Sequence, residues 1–167
     1  MILVEGESDR LALEALARRR GRDLEAEGVS IHAIGGAHAI RREVERLHRR
    51  ARLAGLCDLQ EERHFRKAFD AVGLARCVFV CERDLEDELI RALGVDTVED
   101  VLAARHELGL FRSFQQQPAW RGRRPQEQLH RFFGTYSGRK IEIATMLVDA
   151  LDLDRVPPPL DGVLAAV

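Results

Sequence analysis

Four short, unbroken apolar runs, most of them followed by helical periodicity, limit what this chain can fold into more than any other feature. Residues 1–4, 29–34, 53–57 and 77–81 are too short for buried helices and lack polar alternation, as expected of strands covered on both faces. Between them Leu11, Leu13 and Leu16, then Ile40, Val44 and Leu47, then Phe65, Phe69 and Val72 recur at helical spacing, and Leu85, Leu89 and Leu93 follow the last run. Ser8 can cap the first helix and Gly21 can end it. The second helix is expected over residues 37–50. Strands alternating with helices predict an α/β fold with a four-stranded parallel sheet and right-handed crossovers.

Beyond Gly94 the strand pattern stops. Residues 96–151 read as helical, with a break at Gln117-Pro118, a loop at 134–138 and a last apolar stripe of Ile141, Ala144, Leu147 and Val148. The expected organisation is a core over 1–95, a helical C-terminal extension packed on it over 96–155, and a tail over 156–167 opened by Val156-Pro157-Pro158-Pro159.

Composition removes several classes. No apolar run approaches the ~20 residues of a membrane span. The start, Met1-Ile2-Leu3-Val4-Glu5, has no basic segment or signal-peptide core, so a cytoplasmic location is expected. Cys57, Cys77 and Cys81 are odd in number and not spaced as a zinc knuckle, and they read as small buried hydrophobes.

In an open parallel sheet, ligands bind outside the carboxyl ends of the strands. The first run ends in Glu5-Gly6-Glu7-Ser8-Asp9, the second in Gly35-Gly36, the third in Asp58 followed by Glu61-Glu62, and the fourth in Glu82-Arg83-Asp84-Leu85-Glu86-Asp87-Glu88. Carboxylates from three strand ends would converge on one edge. Massed like charges raise one another's pKa, and such a group of oxygen donors suits Mg²⁺ or Mn²⁺. Acidic residues also favour the first turns of helices, which accounts equally well for Glu7, Asp9, Glu61, Glu62 and Glu88. Glu5 and Asp58, at strand ends, call for a functional role.

The segments Leu3-Val4-Glu5-Gly6-Glu7-Ser8-Asp9, Ile34-Gly35-Gly36 and Gly55-Leu56-Cys57-Asp58 resemble a Toprim domain, the metal-binding Rossmann-like fold of topoisomerases, bacterial primases and several nucleases. Asp84-Leu85-Glu86-Asp87-Glu88-Leu89-Ile90 and Ser137-Gly138-Arg139-Lys140 look more specifically like the Toprim domain of OLD-family (overcoming lysogenization defect) nucleases. The resemblance implies that Glu5 is a metal ligand or general acid/base, that Asp9 and Asp58 bind metal, that Asp84 and Glu86 hold a second metal, and that Lys140 lies near the scissile phosphate. The sequence departs from the Toprim Asp-x-Asp motif at Gln60, for which Glu61 or Glu62 can substitute. OLD-family enzymes usually carry an ATPase domain before the Toprim domain. Here the first strand opens the sequence, so any ATP dependence is expected from a separate ATPase partner.

The expected activity is two-metal hydrolysis of phosphodiester bonds in DNA, nicking rather than sequence-specific cutting, with RNA not distinguished. Of 26 basic residues only Lys67 and Lys140 are lysines. A compact ammonium approaches one phosphate oxygen as a point charge, which gives Lys140 a rationale, whereas Lys67 reads as solvated surface. From 101 to 140 eight basic residues face only Glu107 and Glu127, a surplus of +6, leaving −8 for the rest of a chain whose total is −2. Arg121, Arg123, Arg124 and Arg139 in this stretch are candidate nucleic-acid contacts. Trp120 and Tyr136 could stack on bases, although Trp120 as an anchor of the helical part is the stronger reading. Arg18-Arg19-Arg20 and Arg41-Arg42 read as solvated helix faces, and His64 and His130 as remote candidates for a general base. A homodimer is compatible with the sequence. Two other readings stay open: a catalytically weak or inactive Toprim module binding nucleic acid or an ATPase, and a phosphoacceptor receiver domain with Asp58 as its aspartate. The late position of Lys140 disfavours the receiver.

Overall fold

A computed structural model describes residues 1–135 and 139–167, without the side chains of Ala37 and of residues 139–141. The elements are β1 (Ile2–Val4), α1 (Glu7–Arg19), β2 (Ile31–Ala33), α2 (Ile40–Leu47), β3 (Ala54–Asp58), α3 (Glu62–Asp70), β4 (Val78–Cys81), α4 (Leu85–Leu93), α5 (Val95–Ala104), α6 (Leu108–Gln115), α7 (Pro125–Phe133), α8 (Arg139–Ala150) and α9 (Pro158–Ala165). The strands form one parallel sheet in the order β2-β1-β3-β4.

Strand side chains alternate between the two faces, and each face has its own core. Ile2, Val4, Ala54 and Leu56 pack with α1, α4, α8 and α9. Leu3, Cys57 and Val78 pack with Ile40, Val44, Phe65 and Phe69 of α2 and α3. Both faces are therefore dry, which is why the strands carry no polar alternation. Gly55 is required by close approach: a Cβ there would lie 3.0 Å from the Phe69 ring and 3.1 Å from that of Phe65.

Three local expectations need correction. β2 is shorter than the apolar run because it is an edge strand paired only with β1, and the helix after it opens with a 3₁₀ turn at Ala37–Ala39. The first helix is capped by Gly6 rather than Ser8, with the Asp9 carboxylate accepting the Gly6 N–H at 2.9 Å. Residues 156–167, read as a tail, hold α9, whose Leu160, Val163 and Leu164 are buried against β3 and β4. Proline at the first helical positions starts this helix instead of ending the fold. A Cβ on Gly162 would lie 2.5 Å from the Phe79 ring, so glycine sets how closely α9 approaches β4.

The arginines at the end of α1 are a fourth correction. Arg18 is exposed as expected. Arg19 donates to the carbonyls of Val148 (2.6 Å) and Leu151 (2.5 Å) at the end of α8, Arg20 pairs with Asp161 at 2.6 Å, and Arg22 donates to Leu164 O at 2.6 Å. Arg19 and Arg22 satisfy carbonyls near helix C-termini, and with the Arg20 ion pair they tie the last two helices to α1. Because α8 packs along α1 with the C-terminal ends together, its N-terminal turn lies toward the carboxyl edge of the sheet.

Candidate metal centre and nucleic-acid interface

β1 and β3 are neighbours, so their last residues come together. Glu5 follows β1 directly, and its Oε1 accepts the backbone N–H of Asp58 at 2.9 Å. This bond joins two chemically important positions that lie 53 residues apart. Burial raises the Glu5 pKa, the Asp58 N–H counteracts it, and the charge of Glu61 raises it further.

Asp58 is the electrostatic centre of the edge. Burial, then the charges of Glu5, Asp9, Asp84 and Glu86 in that order, push its carboxyl up from 3.8 to about 8. Four of the expected ligands, Glu5, Asp9, Asp84 and Glu86, thus act on the fifth, Asp58. Glu86 is 3% exposed despite lying in the first turn of α4. Asp84 caps that helix, its Oδ1 accepting the Asp87 N–H at 2.9 Å.

The substitutes for the missing aspartate behave differently. Gln60 is exposed in the turn after β3. Glu62 pairs with Arg66 at 2.5 Å, whereas Glu61, bound to His64 Nδ1 at 2.9 Å, is the one whose charge acts on Glu5. His38 meets His64 edge to face with ring centroids 5.4 Å apart.

The donor set fits a hard divalent cation, since its members are all carboxylates and their mutual repulsion already perturbs Asp58. Among the described residues no three His, Cys, Asp or Glu side chains stand as a ready ligand shell. Mg²⁺ typically keeps several waters and takes only one or two carboxylates directly, so a loose ring is compatible with it.

Cys57 and Cys81 are free and buried, and burial together with neighbouring carboxylates pushes both thiols far up. They are inert packing groups.

The basic stretch lies on α6, α7 and the turn between them. Arg121, Arg123 and Arg124 are exposed, with Arg121 reaching Gln116 O at 3.1 Å and Arg124 pairing with Glu127 at 2.5 Å. Trp120 stacks on Phe114 with centroids 5.4 Å apart, so it anchors this turn to α6. Glu127 is held below the usual carboxylate range by Arg124 first, and also by Arg123 and Arg83. Arg83 immediately precedes Asp84, so the basic turn lies beside the carboxyl end of β4. Sequence reasoning missed Arg83 as a member of this group, because nothing local links it to residues some 40 positions away. Arg139 and Lys140 open α8, but their side chains lie outside the described residues, as do Tyr136, Ser137 and Gly138. Lys67 is exposed.

His130, in the sequence only a remote candidate for a general base, joins the edge through Asp84. It sits on α7, and its Nε2 lies 2.5 Å from Asp84 Oδ2, with side-chain exposures of 14% and 15%. The pair is 46 residues apart, and no spacing rule connects a mid-helix histidine to a helix cap.

No helix among the described residues is long and apolar enough to cross a membrane. No curated protein matches the chain. The family described as overcoming lysogenization defect protein-like, TOPRIM domain, matches residues 1–50. Over 99% of its length the chain has the fold of the C-terminal region of the Burkholderia pseudomallei OLD protein, with 17% identity, a TM-score of 0.74 and 94% of that chain covered. The C-terminal region of the Xanthomonas campestris pv. campestris OLD protein gives 22% identity, a TM-score of 0.72 and 92% coverage in the mercury-phased structure. The platinum-phased structure of the same region gives 21%, 0.74 and 90%. The chain thus matches the OLD-like Toprim family over residues 1–50 and shares the fold of OLD C-terminal regions over 99% of its length.

Proposed function

We infer that this protein cleaves phosphodiester bonds in DNA as an OLD-type Toprim nuclease, using two divalent cations, Mg²⁺ or Mn²⁺. The observation that carries this reading is the Asp58 carboxyl, driven to about 8 by burial and the charges of Glu5, Asp9, Asp84 and Glu86. Carboxylates crowded so closely that they raise one another's pKa are a common mark of a cation site. Glu5, Asp9 and Asp58 would hold one ion, Glu61 or Glu62 completing that side, and Asp84 and Glu86 the other.

When bound, divalent cations supply an acidified water and stabilise charge on the leaving oxygen. The chain's own groups do the rest. Glu5, fixed by the Asp58 N–H, is oriented to accept or return a proton at the reacting oxygen. Arg121, Arg123 and Arg124, with Arg83 and Arg139, bind backbone phosphates on either side of the cleaved bond. Lys140 offsets charge on the phosphate in the transition state.

A second reading, an inactive Toprim module that binds nucleic acid or an ATPase, is favoured by exposed Gln60 in place of an acidic ligand. Supercoiled plasmid with Mn²⁺ or Mg²⁺ separates the two. The nuclease reading expects nicking by the wild type that is lost in Glu5→Gln. Equal trace nicking by both proteins would refute it and leave the binding module.

A further inference from the structure

We propose that His130 is a positioning residue for the acidic edge, fixing the Asp84 carboxylate in the orientation in which it helps to hold a divalent cation. The proposal rests on the metal-dependent reading above and assigns a role to a residue outside the carboxylate set.

Asp84 is held at two points. Its Oδ1 accepts the Asp87 N–H at 2.9 Å, which sets the side chain as the cap of α4. Its Oδ2 meets His130 Nε2 at 2.5 Å. Two contacts to different oxygens fix the carboxylate plane. Both side chains are mostly shielded from water, where a hydrogen bond to a charged group is strong and holds its geometry. The charge of Asp84 acts on Asp58 across the edge, so the group that His130 restrains belongs to the candidate centre.

The same helix restrains the basic turn. Gln128, 4% exposed, donates to Trp120 O at 2.7 Å and accepts from Gln115 Nε2 at 2.7 Å. Gln128 and His130 are two positions apart and so leave α7 in nearly opposite directions. One ties down the turn bearing Arg121, Arg123 and Arg124, and the other ties down the cap of α4. α7 therefore acts as a strut that keeps the phosphate-binding arginines at a set distance from the carboxylates. Outer-shell partners of this kind are worth ~10–100-fold in metal affinity.

Mn²⁺ binding to the full chain by titration calorimetry, with metal-free melting temperatures, tests the assignment. His130→Leu is expected to weaken Mn²⁺ binding by ~10–100-fold. His130→Gln, whose amide can reach the place of Nε2, should recover most of that affinity. Leu129→Val, which loosens the same helix from its core, should lower the melting temperature without changing Mn²⁺ affinity. If His130→Leu does not fold, His130→Asn, too short to reach Oδ2, must show the weakening instead. The proposal is overturned if His130→Leu, or His130→Asn in its place, binds Mn²⁺ like the wild type, or if Leu129→Val weakens binding equally. Wild type that binds no Mn²⁺ would remove the metal-dependent reading and this proposal with it. Wild type that binds, with His130→Leu and His130→Asn unchanged, would remove only the positioning role.

Discussion

Two acidic groups share the carboxyl end of the sheet, and they gather round different centres, one round an arginine and one round an aspartate. In the outer group Arg91 gathers Glu82 (2.8 Å), Asp87 (3.0 Å) and Glu88 (2.8 Å). In the inner group Glu5, Asp9, Asp84 and Glu86 bear on Asp58 and push its carboxyl up to about 8. Both groups draw members from the one segment 82–88, where neighbouring acidic residues look alike in sequence. Helical geometry sorts them: Asp87, Glu88 and Arg91 share a face at spacings of four and three, while Asp84 and Glu86 turn toward the sheet edge. Carboxylates gathered on one arginine are neutralised in place, and those crowded round Asp58 raise its pKa and suit a cation.

The sharpest way to break this comparison is to neutralise one carboxylate from each group. Glu5→Gln should lower metal-dependent nicking by roughly 10²–10⁴-fold, and Glu82→Gln should leave it unchanged in a plasmid assay. Equal losses would erase the distinction.

A pH titration of stability reads the inner group directly. Folded Asp58 holds its proton up to about 8 against a usual 3.8, and Glu5 is raised too. The folded state therefore binds these protons more tightly than the unfolded state. The resulting stability is full below about pH 4 and is lost as pH rises through about 8. Denaturant unfolding of metal-free protein should weaken across that window, and Asp58→Asn should flatten the slope. Mn²⁺ should bind more tightly as pH rises, since binding displaces the proton.

Arginines divide in the same way as the acids. Arg123→Ala with Arg124→Ala should weaken DNA binding and reduce the slope of log affinity against log salt by roughly one for each phosphate no longer neutralised. Arg19→Ala, which frees two helix-end carbonyls, should cost about 1–2 kcal/mol of stability and leave the salt dependence alone. The smallest effect is expected from Arg91→Ala, about 1 kcal/mol by thermal unfolding with nicking retained.

The four strands and the edge carrying Glu5, Asp58 and Asp84 were legible in the sequence, since they follow from apolar runs and the rule that parallel strands end at the ligand side. α9 was not legible, because Pro157-Pro158-Pro159 reads as a stop until Leu160, Val163 and Leu164 are seen buried on β3 and β4. Arg19 and Arg20 read as a solvated run because the carbonyls and the carboxylate they meet lie more than 120 residues further on. Glu61 could not be told from Glu62, since the choice depends on which one Arg66 captures.

By itself the sequence determined the periodicities, and with them the elements, the parallel sheet and the strand ends at which carboxylates collect, because these are local properties of an alternating chain. Only the tertiary structure decided which charges are compensated, that Arg83 joins the arginine turn, and that His130 reaches Asp84. Those pairings depend on how distant helices pack, and packing brings together side chains that no sequence spacing relates.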